Sequence, residues 1–135
     1  MADIRSVTAG FAVAPQIETA DIPLLAEHGY GLVINNRPDG EAPDQPTSEE
    51  MALAAEAAGI DYVHIAIRGM ATAEQAAAMK AAIDGAEGQV LAFCRSGTRS
   101  ITAWAVGQAL AGAPRGPLIE TARQAGYDLS AVLGG

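Results

Sequence analysis

The sequence predicts an α/β protein built in three layers, with a mostly parallel central sheet flanked by helices. Strand-like and helix-like segments alternate along the chain, which is typical of parallel strands joined by helical crossovers. Capping residues mark helix ends, such as Thr47 before two glutamates and Gly59 after an alanine-rich run. An apolar run from Gln89 to Phe93 leads directly into a short polar loop and a further helix.

The first half of the chain is expected to contain three strands and two helices. They are strands at 4–7, 11–14 and 31–35 and helices at 18–27 and 47–58. The first helix ends before Gly29. Thr47 is the expected N-cap of the second helix, Gly59 closes its last turn, and a polar loop rich in proline precedes it.

The second half continues the alternation. It contains predicted strands at 61–67 and 89–93, predicted helices at 73–86, 100–111 and 117–125, and a short C-terminal turn. Apolar residues fall on both faces of the strand at 61–67, so both faces are expected to be covered. Thr72 is expected to cap the helix at 73–86. Ser100 is expected to cap the helix that follows the last strand, and the alternative is a hydrogen bond from Ser100 to the Cys94 sulfur.

Composition limits the classes of partner. The 135 residues, half of them hydrophobic, are expected to form one domain over 1–135. The net charge of −8 repels nucleic-acid phosphates and anionic lipids, so neither nucleic acid nor a membrane is an expected partner. The absence of a signal-peptide pattern and of a long apolar run predicts a cytoplasmic protein. One cysteine and two histidines make a poor metal site, and no metal or cofactor is expected.

The single cysteine, Cys94, opens a loop with the properties of an anion-binding site. A thiol is a good nucleophile only as the thiolate. The N–H groups at the start of the next helix, together with Arg95 and Arg99, favour an anion at this position. Gly97 allows successive N–H groups to face one centre. A buried, inert cysteine is the alternative, but it does not account for two arginines around a Ser-Gly-Thr turn.

The loop resembles the active-site loops of two enzyme superfamilies. Cysteine-dependent phosphatases have a cysteine, five residues, an arginine and then serine or threonine, whereas four residues separate Cys94 from Arg99 here, with Ser100 next. That shorter length resembles rhodanese-type sulfurtransferases, although their upstream Asp-Val-Arg and Gly-His-Ile motifs are missing. The segments 32–39 and 62–66 are similar to those of dual-specificity phosphatases. Over nearly its whole length the chain resembles the phosphatase-like domain of beta-lactamase-hydrolase-like proteins, which implies a cysteine-phosphatase-like fold with a rhodanese-sized loop.

The resemblance implies two reactions that differ in their need for a general acid. A phosphatase protonates its leaving oxygen, normally with an aspartate after the strand at 61–67, but residues 68–71 are Arg-Gly-Met-Ala. Sulfur transfer needs no acid, because sulfite leaves thiosulfate as a stable anion, and some members of the family are labelled sulfur transferases. The leading hypothesis is therefore a sulfurtransferase that moves sulfane sulfur from thiosulfate or glutathione persulfide, through a Cys94 persulfide, to a thiol acceptor. The alternatives are a phosphatase that acts on a phosphoester through a cysteinyl-phosphate, and a non-catalytic anion-binding or redox-sensing module.

The loop residues carry these hypotheses. Cys94 is the expected nucleophile, and Arg99 with the loop amides holds the oxyanion or the persulfide in either mechanism. The remaining expected substrate-binding residues are Arg95, Ser96, Gly97, Thr98 and Ser100. Outside the loop, Asp39 and Glu41 are candidates for the missing acid, although Pro-Asp-Gly is a turn sequence and the turn is the favoured interpretation. Arg37 either adds affinity for anions or is a solvated loop residue.

Overall fold

The computed structural model describes residues 2–134 and contains one five-stranded sheet between two layers of helices. Its elements are β1 Arg5–Thr8, β2 Phe11–Ala14, α1 Asp21–Glu27, β3 Tyr30–Asn35, α2 Ser48–Ala58, β4 Asp61–His64, α3 Ala73–Asp84, β5 Gln89–Phe93, α4 Thr98–Leu110 and α5 Arg115–Gln124. The strand order is β1-β2-β5-β3-β4. β1 is antiparallel to β2 and every other pairing is parallel, which confirms the predicted fold class.

β5 is the central strand, and its side chains alternate between two hydrophobic clusters. Val90 and Ala92 lie in the cluster that includes residues of α3, α4 and α5, whereas Leu91 and Phe93 lie in the cluster that includes residues of α1 and α2. All four side chains are buried. Because β5 is covered on both faces and hydrogen-bonded to β2 and β3, its carboxyl end is held in a fixed position.

Several helix boundaries follow the predicted capping signals. Thr47 and Thr72 each form a capping box, in which the threonine side chain accepts an N–H from the third residue of the helix and that residue's side chain accepts the threonine N–H. Gly59 ends α2 with a φ of 77°. α1 begins three residues later than predicted, since the Asp21 side chain accepts the Glu18 N–H in a turn that precedes the helix.

The prediction for the strand at 61–67 is wrong in length and in burial. β4 ends at His64 and lies at the edge of the sheet, where it pairs only with β3. Its residues are mostly exposed, including Val63 at 37%. Beyond β4 the Ile65 N–H donates to the Asn35 carbonyl. An edge strand cannot be distinguished by apolar content from a central one, because the pattern does not report the order of strands.

Ser100 does not cap the helix after β5, contrary to the prediction. α4 begins at Thr98, its N-cap is Gly97, and Ser100 is the third helical residue, fully buried. The earlier start arises because the positive φ of Gly97 already turns the chain into the helix. The next helix, α5, also begins before its predicted first residue.

Two classes of feature are absent from residues 2–134. None of the helices there has both the length and the apolar character needed to cross a bilayer. Nor do those residues contain a group of three or more histidine, cysteine, aspartate or glutamate side chains arranged to hold a metal ion.

Candidate active site

Three parallel strands bring the candidate residues to one edge of the sheet. Cys94 directly follows β5, Arg37 lies two residues after β3, and Gln16 lies two residues after β2. The Cys94 N–H donates to the Ala14 carbonyl at 3.4 Å, and the Gln16 N–H donates to the Arg95 carbonyl at 3.3 Å. The carboxyl edge of the parallel strands is the usual position of ligand sites in open α/β sheets.

Cys94 is fully buried, and its sulfur accepts a backbone hydrogen bond. The donor is the Gly97 N–H, 3.1 Å from Sγ. The sulfur therefore lies beside an amide donor and near the N-terminus of α4, and both favour negative charge on it.

Gly97 has no room for a side chain. Its φ is 92°, and a Cβ at this position would collide with the Tyr127 hydroxyl group. We expect Gly97→Ala to lower the free energy of unfolding by about 2 to 4 kcal/mol, from backbone strain and collision together. Urea unfolding measures this.

Gly112→Ala is the matched control for that variant. Gly112 also has a positive φ, 102°, but a Cβ there would meet no atom within 4 Å, so this variant adds strain without collision. Equal losses of stability in the two variants would contradict the collision with Tyr127.

Arg99 lies between the cysteine loop and the loop after β3. Its Nη1 donates to the Ile67 carbonyl at 2.8 Å and to Glu41 Oε2 at 3.0 Å, and its Nη2 donates to Glu41 Oε1 at 2.8 Å. Glu41, through these bonds, and to a smaller extent Cys94 raise the pKa of Arg99 above its usual value. The guanidinium is thus a permanent cation that holds the Glu41 carboxylate with two parallel hydrogen bonds.

Glu41 is held by a second arginine as well. Arg37 Nε donates to Glu41 Oε1 at 3.0 Å, and Arg37 Nη1 donates to Gln16 Oε1 at 3.1 Å. The bonds from Arg99, followed by those from Arg37, lower the pKa of Glu41 to about 2. Glu41 is therefore ionised at neutral pH in the free protein, and the stability that this pairing contributes is fully present above the ordinary pKa of 4.5 and is lost progressively as the pH falls from there towards 2. Arg37 is buried, so it is not a solvated loop residue.

The loop between β3 and α2 separates the two candidate acids. Gln45 Oε1 accepts the Glu41 N–H at 3.1 Å, and Gln45 Nε2 donates to the Pro38 carbonyl at 2.9 Å, so Gln45 bridges two points of the loop. Asp39 Oδ1 accepts the Ser48 N–H at 2.8 Å, at the N-terminus of α2. Asp39 thus has the structural role favoured from its turn sequence, whereas Glu41 contacts Arg99.

The other predicted loop residues lie in different environments. Arg95 and Thr98 are exposed, and the Ser96 hydroxyl donates to Thr98 Oγ1 at 3.0 Å. The Ser100 Oγ is buried and has no hydrogen-bond partner within residues 2–134. Arg95 and Arg37 line a surface cavity of about 340 Å³ beside the loop. The structure therefore brings Cys94, Gly97, Arg99 and Arg95 together on one side of the sheet edge.

Sequence reasoning missed two contributors to this arrangement. Gln16 binds Arg37, and the Tyr127 hydroxyl donates to the Ser96 carbonyl at 3.0 Å. Gln16 follows β2, and its position would have been indicated by knowing that β2 lies parallel beside β5. Tyr127 comes from the segment after α5, and no local pattern links that segment to the loop.

Comparisons with known proteins identify the family of this chain. Residues 3–111 match the family model described as "Beta-lactamase hydrolase-like protein, phosphatase-like domain". A beta-lactamase hydrolase-like protein of Agrobacterium fabrum is 39% identical over 122 residues, which cover 89% of this chain and 28% of that protein. One from Xylella fastidiosa is 34% identical over 128 residues, with 93% and 30% covered. The chain thus spans less than a third of the length of these relatives.

Solved structures extend the comparison to the fold. A "putative phosphatase" from Neisseria meningitidis superposes with a TM-score of 0.84 at 30% identity, covering 96% of this chain and 93% of that one. TpbA of P. aeruginosa, solved in complex with pTyr, superposes with a TM-score of 0.70 at 13% identity, covering 98% of this chain and 83% of that one. At that identity the likeness concerns the fold alone. Taken together, the match over residues 3–111 and the relatives above 30% identity establish that this chain belongs to the family of the phosphatase-like domain of beta-lactamase hydrolase-like proteins.

Proposed function

We propose that this protein is a cysteine-dependent phosphatase that hydrolyses a phosphoester through a cysteinyl-phosphate on Cys94. The observation that carries the proposal is the Glu41 carboxylate bound to Arg99 beside the cysteine loop. A carboxylate on a guanidinium fork resembles two oxygens of a phosphoryl group on the same fork. It also provides a carboxyl group, the one component of a phosphatase that residues 68–71 lack.

In the first step the phosphoryl group replaces Glu41 on Arg99. The Cys94 thiolate attacks phosphorus, a sulfur–phosphorus bond forms, and the bond from phosphorus to the leaving oxygen breaks. The Glu41 carboxyl gives its proton to that oxygen, so the alcohol or phenol departs neutral. Arg99 and the loop N–H groups, including that of Gly97, stabilise the charge on the other phosphoryl oxygens.

Substrate binding itself changes the state of Glu41. In the free protein the two arginines keep Glu41 ionised. A phosphoryl group that takes Arg99 removes that stabilisation and brings negative charge beside the carboxylate, so the complex favours the protonated form. The proton comes from the substrate, because a phosphate monoester with a second pKa of about 6 still holds one proton below that pH and can transfer it to Glu41.

In the second step water hydrolyses the cysteinyl-phosphate. The Glu41 carboxylate takes a proton from the water as its oxygen bonds to phosphorus, and the sulfur–phosphorus bond breaks. Inorganic phosphate leaves and the Cys94 thiolate is restored. The proton that Glu41 has taken leaves with the phosphate as dihydrogen phosphate, so Glu41 is ionised again as it was at the start of the cycle.

The proposal is tested by turnover of 4-nitrophenyl phosphate and by the mass of acid-quenched protein. We expect release of 4-nitrophenol and a transient gain of one phosphoryl group located on Cys94. Absence of turnover on 4-nitrophenyl phosphate and on phosphotyrosine, across the range from mildly acidic to mildly basic pH, would contradict it.

Glu41→Gln should slow the hydrolysis of phosphoesters with poor leaving groups more than that of phosphoesters with good ones. Without a proton donor, we expect kcat/KM for phenyl phosphate, whose leaving group has a pKa of about 10, to fall about 10²-fold, and that for 4-nitrophenyl phosphate to fall much less. KM should decrease for both, because the competing carboxylate is gone. In the wild type kcat/KM should decline above about pH 6, because the substrate monoanion that brings the proton to Glu41 becomes scarce. This decline should be weaker in Glu41→Gln.

The matched control for this variant is Asp39→Asn, which makes the same chemical change in the same loop. Asp39 accepts a bond from the Ser48 N–H and lies on the α2 side of the loop. We expect Asp39→Asn to leave unchanged the ratio of kcat/KM for phenyl phosphate to kcat/KM for 4-nitrophenyl phosphate. A shift of that ratio by Asp39→Asn as large as by Glu41→Gln would contradict the role of Glu41.

Sulfur transfer is a second candidate, favoured by the ionised state of Glu41 in the free protein. Attack of the Cys94 thiolate on the outer sulfur of thiosulfate would form a persulfide and release sulfite, with no proton donor. Intact mass after exposure to thiosulfate tests it: a gain of one sulfur atom that cyanide removes would support sulfur transfer. If neither this gain nor phosphoester turnover occurs, the redox-sensing alternative remains, and peroxide should then oxidise Cys94.

A further inference from the structure

We propose that Tyr127 is a positioning residue for the active-site loop, whose hydroxyl fixes the peptide that presents an N–H to the Cys94 sulfur. The inference rests on the proposed function in one respect, since it assumes that Cys94 works as a thiolate. Tyr127 lies outside residues 3–111, the segment that matches the family model.

The two hydrogen bonds involved meet the two ends of one peptide unit. Tyr127 Oη donates to the Ser96 carbonyl at 3.0 Å, and the N–H of the next residue, Gly97, donates to Cys94 Sγ at 3.1 Å. The carbonyl and N–H of a trans peptide point in opposite directions because the unit is planar. Holding the carbonyl oxygen towards Tyr127 therefore aims the N–H at the sulfur.

Glycine at 97 makes this restraint necessary. Glycine occupies positive φ as readily as negative φ, so Gly97 itself does little to prevent the peptide from rotating. The neighbouring Ser96 is exposed and its side chain bonds to Thr98, within the same turn. Contact with Tyr127 thus comes from outside the loop and restrains the peptide directly.

Tyr127 is itself well anchored. Its N–H donates to the Ala122 carbonyl at 2.9 Å, at the end of α5, and the Arg5 guanidinium lies 5.5 Å from the centre of its ring. Two residues later Leu129 is buried in the core. Partial burial raises the pKa of Tyr127, so the hydroxyl stays protonated and able to donate.

The test is the rate at which iodoacetamide alkylates Cys94 in Tyr127→Phe. Cys94 is the only cysteine, so one mass shift reports it alone. A hydrogen bond worth about 1 kcal/mol corresponds to about a fivefold change, and we expect alkylation at about pH 6.5 to slow by about that factor. A free cysteine thiol is mostly ionised at about pH 9.5, so at that pH we expect the two proteins to be alkylated at equal rates. With a phosphoester, kcat should fall while KM changes little.

The matched control is Tyr30→Phe, which removes the hydroxyl of a tyrosine whose pKa is raised by burial alone, without a hydrogen-bonded partner among residues 2–134. It should leave alkylation unchanged at both pH values. If Tyr127→Phe slowed alkylation equally at the two pH values, the variant would have altered the access of iodoacetamide to Cys94. If it were alkylated at wild-type rates at both pH values, Tyr127 would not restrain the loop. Either result overturns the proposal. Alkylation needs neither phosphoester nor sulfur donor, so this outcome is independent of whether the proposed phosphatase activity is found.

Discussion

Cys94→Ser is expected to lower kcat/KM for 4-nitrophenyl phosphate by about 10⁵-fold or more, since a serine hydroxyl is not ionised near neutral pH. In the first step Glu41 holds the proton for the leaving oxygen, so it is not available as a base for the serine hydroxyl. The smaller oxygen also lies in a loop shaped around sulfur, where the Gly97 N–H donates across 3.1 Å. Stopped assays over several hours measure the residual rate.

The variant should still bind anions. Arg99 and the loop amides remain in place, so phosphate should inhibit 4-nitrophenyl phosphate turnover by the wild type and bind to Cys94→Ser with similar affinity in calorimetry. Residual activity above about one hundredth of the wild-type value in Cys94→Ser would show that another group is the nucleophile. Failure of the variant to fold, measured by circular dichroism, is not expected, because one buried atom is exchanged for a smaller one.

Arg99→Lys is expected to lower kcat/KM by about 10³-fold, the upper range for loss of one oxyanion donor. Arg99 uses two nitrogens to reach Ile67 and both oxygens of Glu41, and a lysine ammonium cannot reproduce a planar fork. Both kcat and kcat/KM should fall, because the fork is needed most when charge develops on the phosphoryl oxygens.

Arg68→Lys is the matched control for this variant. Arg68 is exposed and directly follows Ile67, whose carbonyl anchors Arg99, so the same substitution there changes the chain locally and leaves the fork intact. We expect kinetic constants within about twofold of the wild type, as for an ordinary surface substitution. Retention of more than about a tenth of wild-type kcat/KM in Arg99→Lys would mean that charge alone suffices and that the bidentate geometry is not required.

The sequence predicted the elements that carry strong local signals. Thr47 and Thr72 begin their helices with the capping boxes expected from their neighbours, and β5 has the predicted bounds. Ser100 was misassigned because a glycine cap leaves no side-chain signal, and the apolar pattern of 61–67 did not reveal an edge strand.

The site was predictable only where its residues are adjacent in the chain. Cys94, Gly97 and Arg99 lie within six residues, so their spacing indicated an anion-binding loop. Glu41 and Tyr127 reach it from distant segments through tertiary contacts, and the contact of Glu41 with Arg99 could not be derived from the turn sequence beside it. Non-local pairings of this kind depend on strand order, which one sequence does not report.

The bond between Glu41 and Arg99 also affects how affinities for this site are to be interpreted. A carboxylate tethered beside Arg99 acts at an effective concentration set by the loop, in the millimolar range or above for short tethers. Any external anion binds only in the fraction of molecules in which this contact is open, so its apparent dissociation constant is its intrinsic one divided by that fraction. Small anions should therefore bind weakly, and a substrate with additional groups that contact the cavity beside Arg37 and Arg95 should gain the most.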